Sequence, residues 1–140
     1  MSLQHLEIRQ YSCGVVPNTE QIILHLNCST YFPTVPKERL EKFGIMKYFN
    51  LVISSAEEGI AKPDPKIFDI AVCRANTYAD RCVMIGDRLD NDIIPAKNLG
   101  FKTVWVRQGF SRFVPAVYGG KWADIIFENI EDVILLRNFI

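Results

Sequence analysis

The sequence predicts an α/β protein with a mostly parallel sheet flanked by helices. From Lys37 onward, short apolar runs alternate with segments of helical period, and this alternation is typical of a parallel sheet covered by helices. The chain has 140 residues, of which 49% are hydrophobic, so it is long and apolar enough to bury a core. We therefore expect one globular domain rather than two.

The first predicted elements after Lys37 lead into a well-marked helix. A short helix over Lys37–Phe43 precedes a buried strand over Leu51–Ser54 (LVIS). A second helix is predicted over Pro65–Ala75, because Asp64 is a favoured N-cap residue and proline suits the first helical position. The apolar stripe of this helix consists of Ile67, Phe68, Ala71, Val72 and Ala75.

Two further strands enclose the next predicted helix. Cys82–Ile85 (CVMI) is a short apolar strand that ends at Gly86, a residue able to take a sharp turn. A helix is expected over Asp90–Leu99, closed by Gly100 after its last turn. Lys102–Val106 (KTVWV) is then the next strand.

The remaining residues are predicted to complete the sheet and cover it. The segment between Gln108 and Lys121 is rich in Gly, Pro and Ser, which is typical of a loop. A last strand is expected over Ala123–Phe127, followed by a terminal helix over Ile130–Arg137. The inward-facing residues of that helix are predicted to be Val133, Ile134 and Leu136.

The first 36 residues differ in kind from the rest. Gln21–Leu26 (QIILHL) is the better strand candidate there, and Leu6–Tyr11 is a weaker one. The stretch that follows, NCSTYFPTVP, is irregular and contains two prolines. We therefore divide the chain into an atypical N-terminal segment, residues 1–36, and a core domain, residues 37–140.

Composition argues against several classes of function. Sixteen basic residues balance sixteen acidic ones, so no net field favours nucleic acid or an anionic membrane as a partner. The four cysteines form no CxxC pair, which argues against zinc and favours reduced thiols. His5 and His25 each stand alone, and we assign neither a role. Neither a membrane-spanning run nor a signal peptide is evident, so a cytoplasmic protein is expected.

The segment GDRLDND, at Gly86–Asp92, carries the main chemical signal. It follows the carboxyl end of an apolar strand, which is where ligands bind in open α/β sheets. A turn there can bring the carboxylates of Asp87 and Asp92 to one point, and such a pair of oxygen donors suits Mg²⁺. The alternative is that Asp87 and Asp90 only cap the start of a helix, and the segment alone leaves both interpretations open.

The segment Gly59–Pro65 (GIAKPDP) is the second chemical signal. Pro63 and Pro65 restrict their own backbones and those of the residues before them, so Lys62 is expected to emerge from a stiff turn. A lysine aimed in this way can neutralise a phosphoryl group or stabilise ionised carboxylates. The alternative is that Lys62 is an ordinary solvated lysine.

Taken together, these motifs resemble the haloacid dehalogenase (HAD) superfamily of hydrolases. The order of KPDP, helix, strand and GDxxxxD is much more specific than either motif alone. It lies within KERLEKFGIMKYFNLVISSAEEGIAKPDPKIFDIAV and VMIGDRLDNDIIPAKNLGFKTVWV, which are similar to the C-terminal part of HAD phosphatases. The resemblance extends from about Lys37 to Val106, and more loosely to Leu136.

The resemblance implies a fold, a reaction and a set of site residues. The fold would be a Rossmann-like three-layer sandwich with a mostly parallel sheet. The reaction would be hydrolysis of a phosphomonoester, with a small phosphorylated metabolite as the substrate. By resemblance, Asp87 and Asp92 hold Mg²⁺ as the cofactor, and Lys62 stabilises the reacting phosphoryl group.

The sequence departs from the HAD pattern in its N-terminal part. These enzymes attack phosphorus with the first aspartate of a DxD motif, whereas all eight aspartates of this chain lie at position 64 or later. The family's phosphate-binding Ser or Thr has its best candidates in Ser29 and Thr30, which are equally well explained as ordinary loop hydroxyls. A cap domain is not expected, because about five residues separate Val16 from the strand near Ile22.

The missing first strand leads to one structural expectation and three functional interpretations. The vacant central place in the sheet should be filled by part of Leu6–Val16, or by a strand from a second copy in a homodimer. The leading interpretation is a HAD-type phosphatase core with weak or no activity, because the nucleophile is missing. The alternative is a non-enzymatic domain that binds Mg²⁺ and phosphate. A phosphoacceptor receiver domain fits poorly, because it needs its acidic pair early and its lysine late.

Overall fold

A parallel sheet forms the centre of the molecule. The computed structural model describes residues 22–24, 36–49 and 51–138. Within this part of the chain, four parallel strands pair in the order β1-β2-β3-β4, which confirms the predicted α/β class. The strands are β1 (Ile22–Leu24), β2 (Cys82–Gly86), β3 (Lys102–Val106) and β4 (Ile125–Phe127).

Short helices connect and cover these strands. The α-helices are α1 (Pro36–Lys42), α2 (Ser55–Glu58), α3 (Pro65–Arg74) and α4 (Ile94–Asn98). A π-helical turn, Leu89–Ile93, leads directly into α4. The 3₁₀ segments are Met46–Tyr48, Ala79–Arg81, Gly109–Phe113, Ala116–Tyr118 and Ile130–Asn138. None of the helices described has the length and apolar character needed to span a membrane.

Helix α3 forms as its local sequence predicts. The Asp64 carboxylate accepts a hydrogen bond from the Lys66 amide at 3.0 Å, and Pro65 occupies the first turn, so both devices expected at the N-terminus are in place. Three residues of the predicted apolar stripe are fully buried, and the other two pack against the same core. These residues are Ile67, Phe68 and Ala71, with Val72 and Ala75 at the margin.

The sheet separates two hydrophobic cores, because successive side chains of a strand point to opposite faces. Cys82 and Met84 of β2 pack with α3 and α4 on one face. Val83 and Ile85 pack with β3, β4 and the C-terminal 3₁₀ helix on the other. This gives the expected arrangement of a sheet with a helical layer on each face.

Two predictions about secondary structure are wrong. Leu51–Ser54 is not a strand: Ser54 has an extended backbone but serves as the N-cap of α2, and no ladder forms there among the described residues. At the C-terminus, Val133 and Leu136 are buried as predicted, whereas Ile134 is 49% exposed. The reason is that Ile130–Asn138 is a 3₁₀ helix, in which residues three apart share a face.

The expectation about the vacant central strand is also corrected. Strand β1 pairs directly with β2, with Leu24 opposite Met84. The edge of β2 is therefore covered by Ile22–Leu24, within the predicted strand Gln21–Leu26, and not by part of Leu6–Val16. Leu6–Tyr11 and the rest of Leu6–Val16 lie outside the described residues.

The two cysteines of the described core are expected to differ sharply in reactivity. Burial raises the pKa of the Cys82 thiol to about 12, whereas Cys73 is exposed. Relative to a thiol of pKa 9.0, this lowers the thiolate fraction of Cys82 about a thousandfold near pH 8. We expect iodoacetamide to label Cys73 and spare Cys82, as measured by peptide mass spectrometry. In denaturing urea both should react, and equal labelling of the folded chain would contradict the burial of Cys82.

Candidate functional site

The predicted site residues lie where strand β2 ends. Gly86 is the last residue of β2, Asp87 follows it, and the π-helical turn Leu89–Ile93 carries Asp92 back toward the strand. Carboxyl ends of parallel strands share one edge of the sheet, and ligands bind at that edge. The loop that contains Lys62 reaches the same edge, because the Lys62 ammonium contacts the Asp92 carboxylate.

Lys62 and Asp92 form a buried ion pair. Lys62 Nζ donates to Asp92 Oδ1, and the two side chains are only 7% and 5% exposed. A buried charge is tolerated only when it is paired, so this contact excludes the alternative that Lys62 is an ordinary solvated lysine. The Asp64 amide donates to the Ala61 carbonyl at 3.0 Å, which closes the turn that carries Lys62.

The second oxygen of Asp92 is held by the backbone of the same loop. Asp92 Oδ2 accepts a hydrogen bond from the Arg88 amide at 3.1 Å. The Arg88 carbonyl in turn accepts from the amides of Asp92 at 2.9 Å and Ile93 at 3.2 Å. The wider π turn therefore folds the loop onto its own carboxylate, which fixes Asp92 where Lys62 meets it. Single π turns of this kind are frequent at functional sites.

Gly86 makes room for this arrangement. A Cβ atom on Gly86 would lie 2.5 Å from Asp92 Cβ and 2.6 Å from Asp92 Oδ2. No side chain larger than hydrogen fits there while Asp92 keeps its two partners. Glycine is thus required at the end of β2 by the close approach of a carboxylate.

Gly86→Ala is expected to destabilise the protein by about 1–3 kcal/mol, because it forces Asp92 away from Lys62. Urea denaturation gives the free energy of unfolding. The matched control is Gly120→Ala, whose new Cβ would meet the Val117 carbonyl at an ordinary 3.5 Å and should change stability by less than about 0.5 kcal/mol. An equal effect of both variants would argue against the close packing at Gly86.

Asp87 has a different environment from Asp92. Its side chain is exposed at the sheet edge, while its backbone carbonyl accepts a hydrogen bond from Trp105 Nε1 at 2.8 Å. The carboxylate therefore faces solvent from a fixed backbone position. The N-cap position belongs to Arg88, so Asp87 is not the cap. The Asp90 carboxylate does accept from the amides of Asp90 and Asn91 in the first turn, so the capping alternative holds for Asp90.

Asp90 pairs with Arg88 on the exposed side of the loop. Arg88 Nε and Nη2 donate to the two Asp90 carboxylate oxygens at 3.1 and 2.6 Å. The hydrogen bond from this guanidinium lowers the pKa of Asp90, so the carboxylate stays ionised at neutral pH. The pair lies at the surface and contributes little to stability.

The described residues contain two carboxylates of the predicted metal site and no larger set. No group of three or more His, Cys, Asp or Glu side chains in this part of the chain is placed to hold a metal. Mg²⁺ usually takes one or two protein carboxylates and completes its shell with water or phosphate. The donor set of Asp87 and Asp92 therefore suits Mg²⁺. Ser29 and Thr30 lie outside the described residues.

Comparison with known protein families shows to which family this chain belongs. A family profile described as HAD-hydrolase-like matches residues 59–133, which is more than half of the chain and includes Lys62, Asp87 and Asp92. The chain belongs to the HAD-hydrolase-like family. This confirms the resemblance that the KPDP and GDxxxxD motifs indicate.

HAD relatives with assigned names include several phosphatases. The chain is 35% identical over 102 residues to a glyceraldehyde 3-phosphate phosphatase of Pyrococcus furiosus, covering 67% of this chain and 42% of that protein. A second such phosphatase, from Pyrococcus abyssi, is 44% identical over 77 residues, with 55% and 32% covered. A phosphoserine phosphatase of Thermus thermophilus is 36% identical over 77 residues, with 55% and 31% covered. The chain thus spans about a third to two fifths of the length of these relatives.

Solved HAD structures share the fold. A HAD phosphatase from Thermococcus onnurineus superposes with a TM-score of 0.65 at 25% identity, covering 84% of this chain and 50% of that one. A 2-haloacid dehalogenase from Pseudomonas syringae pv. Tomato also gives 0.65, at 22% identity, with 85% and 46% covered. The second likeness concerns the fold alone, which is the one predicted for a HAD core.

The sequence did not indicate two residues that support this candidate site. Trp105 was assigned only to a strand, yet its indole reaches the Asp87 carbonyl. Gly119 was assigned only to a loop, yet it packs against the Trp105 ring so closely that a Cβ atom would overlap it. The signal available in the sequence was Trp105 itself, which lies near the carboxyl end of the predicted strand Lys102–Val106 that follows the segment Gly86–Asp92.

Proposed function

We propose that this chain is a HAD-type phosphatase core that binds Mg²⁺ and the phosphate group of a small metabolite, with weak or no turnover of its own. The observation that carries the proposal is the buried pair of Lys62 and Asp92 at the carboxyl end of β2, where the exposed residue Asp87 directly follows the strand. Asp87 and the buried pair thus share one strand end, at the edge where ligands bind in sheets of this kind.

Asp87 and Asp92 are the residues proposed to hold the metal. The Asp87 carboxylate faces solvent, so it is the accessible ligand. Asp92 uses one lone pair of each oxygen for Lys62 and the Arg88 amide, and a carboxylate has about four such sites, so it retains acceptor capacity. A bound Mg²⁺ would supply the positive charge that neutralises phosphoryl oxygens.

Lys62 is proposed to act on the phosphate. Its ammonium has three donors, and its hydrogen bond to Asp92 holds it at the edge of the sheet where the phosphate would lie. An aimed ammonium in a site shielded from water stabilises negative charge on a phosphoryl group more strongly than a mobile one. Lys62 would thus orient the phosphate, while Asp92 holds Lys62.

Turnover by these 140 residues is proposed to be weak, because residues 1–61 contain no aspartate that could be the nucleophile. All eight aspartates lie at position 64 or later, whereas the HAD reaction uses one that precedes the lysine. The relatives are named for different phosphomonoesters, glyceraldehyde 3-phosphate and phosphoserine among them. Their shared chemistry is the phosphate group, and a small phosphorylated metabolite is therefore the class of ligand proposed.

Calorimetric titration with Mg²⁺ tests the metal site, and p-nitrophenyl phosphate tests turnover. We expect Mg²⁺ binding to the wild-type chain, loss of at least about tenfold in affinity in Asp87→Asn, and no Mg²⁺-dependent turnover. The matched control is Asp90→Asn, which removes the same charge from the same loop and should bind Mg²⁺ normally. Absence of Mg²⁺ binding would overturn the metal site. Turnover abolished by Asp87→Asn would overturn the impairment and show an active phosphatase.

A further inference from the structure

Trp105 lies in the strand next to the acidic loop. In the register of β2 and β3, Trp105 is opposite Gly86, the residue immediately before Asp87. The Trp105 side chain is completely buried, and its Nε1 donates to the Asp87 carbonyl at 2.8 Å. A buried indole N–H needs an acceptor. Here the acceptor is the backbone carbonyl of Asp87, just before the π-helical turn Leu89–Ile93.

The Trp105 ring is held in one orientation from two sides. Gly119 contacts the ring so closely that a Cβ atom on Gly119 would overlap its six-membered edge. The Arg107 guanidinium lies 5.7 Å from the ring centroid, and Arg107 is itself bound to the Val114 carbonyl at 2.9 Å and to Glu128 at 2.5 Å. The indole N–H therefore points at Asp87 from a rigid support.

The geometry points to Trp105 as a positioning residue for the Asp87 carboxylate. The indole fixes the Asp87 peptide in the same loop that the Arg88 amide ties to Asp92, so the two hydrogen bonds together fix the backbone from which the Asp87 carboxylate projects, relative to the Asp92 carboxylate. Residues that orient metal ligands in this way contribute to metal affinity without contacting the metal. The inference rests on the proposed Mg²⁺ site for its functional consequence, whereas the tether itself does not require the metal.

The sequence provides a matched control for the test. The chain has two tryptophans, and the half-buried Trp122 ring lies next to the Lys121 ammonium. We compare Trp105→Phe with Trp122→Phe, since both remove one indole N–H and keep an aromatic ring. Amide hydrogen exchange of residues 87–92 without metal measures the tether, and Mg²⁺ titration measures its effect on the site.

Trp105→Phe is expected to speed exchange across residues 87–92 and to weaken Mg²⁺ binding about fivefold, while Trp122→Phe does neither. Equal exchange rates of residues 87–92 in the two variants would overturn the inference. Faster exchange in Trp105→Phe, with no Mg²⁺ binding even to the wild type, would support the tether and overturn the metal site. Faster exchange with unchanged Mg²⁺ affinity would overturn the positioning role.

A measurement on the wild-type chain covers the case in which Trp105→Phe does not fold. The two indole N–H protons are resolved by NMR and assigned with Trp122→Phe. We expect the Trp105 indole proton to exchange with solvent at least about a hundredfold more slowly than that of Trp122, because it is buried and bonded. Similar exchange rates for the two protons would overturn the inference without any variant at Trp105.

Discussion

Asp92→Asn is expected to lower the free energy of unfolding by about 3–5 kcal/mol, because it removes the carboxylate charge that pairs with the buried Lys62 ammonium. Asp92 is 4% exposed and bonded to both Lys62 and the Arg88 amide. Asparagine keeps the shape of the side chain, so the effect reports the lost charge and one lost hydrogen bond rather than a change of volume. Urea denaturation at neutral pH measures it through the shift in midpoint at constant slope.

Two further variants make the Asp92 prediction specific. Asp90→Asn removes a charge from the exposed pair with Arg88 and should change stability by less than about 0.5 kcal/mol. Lys62→Met combined with Asp92→Asn removes both buried charges and should cost less than Asp92→Asn alone. If Asp92→Asn is no more costly than Asp90→Asn, the ion pair is not buried as described.

Phe68→Ala is expected to destabilise the protein by a similar amount, about 3–5 kcal/mol. Phe68 is completely buried in the first core, and its ring meets Phe101 edge to face at a centroid distance of 5.9 Å and an angle of 88°. The substitution opens a cavity between α3 and the start of β3. Because α3 follows the Lys62 loop directly, this packing also supports the site.

The control for Phe68 is Phe110→Ala. Phe110 is 93% exposed, so its truncation removes a ring of the same size without opening a cavity and should cost less than about 0.5 kcal/mol. Thermal unfolding followed by circular dichroism compares the two variants. A comparable loss of stability in both would mean that α3 is not anchored through Phe68.

The sequence predicted best those elements whose signals are local. Helix α3 is marked by Asp64 and Pro65 within two residues, and its stripe repeats at helical spacing, so it could be placed before any contact was known. Strand β3 has the apolar, β-branched residues that suit a pleated, buried surface. In both cases the residues that cause the helix or strand to form lie within one short stretch of sequence.

Elements that depend on distant partners were predicted less well. Leu51–Ser54 has strand-like composition but forms no strand. A strand forms only where a neighbouring strand pairs with it, and that neighbour is set by contacts between residues far apart in the sequence. Ile134 fits an α-helical stripe, and its exposure follows from a 3₁₀ geometry that period analysis at 3.6 residues cannot detect. The pairing of β1 with β2 is likewise a property of the whole sheet.

The charged residues of the candidate site were predicted from the sequence, whereas the residues that pack behind them were not. The meeting of Lys62 and Asp92 followed from two motifs whose order is itself informative. The contact of the Trp105 indole with Asp87 could not be predicted, because it depends on the register of β2 and β3. The close approach of Gly119 depends on how the segment after Ala116–Tyr118 packs against β3. Contacts of this kind are created by tertiary packing and leave no repeat or spacing in the sequence.

A crystal structure with Mg²⁺ and inorganic phosphate present would test most directly whether Lys62, Asp87 and Asp92 form one binding site. We predict a metal ion about 2.1 Å from an Asp87 carboxylate oxygen, and a phosphate oxygen within hydrogen-bonding distance of Lys62 Nζ, about 3 Å. A structure in which Lys62 points away from Asp92, or in which Mg²⁺ and phosphate bind elsewhere, would contradict the proposed site.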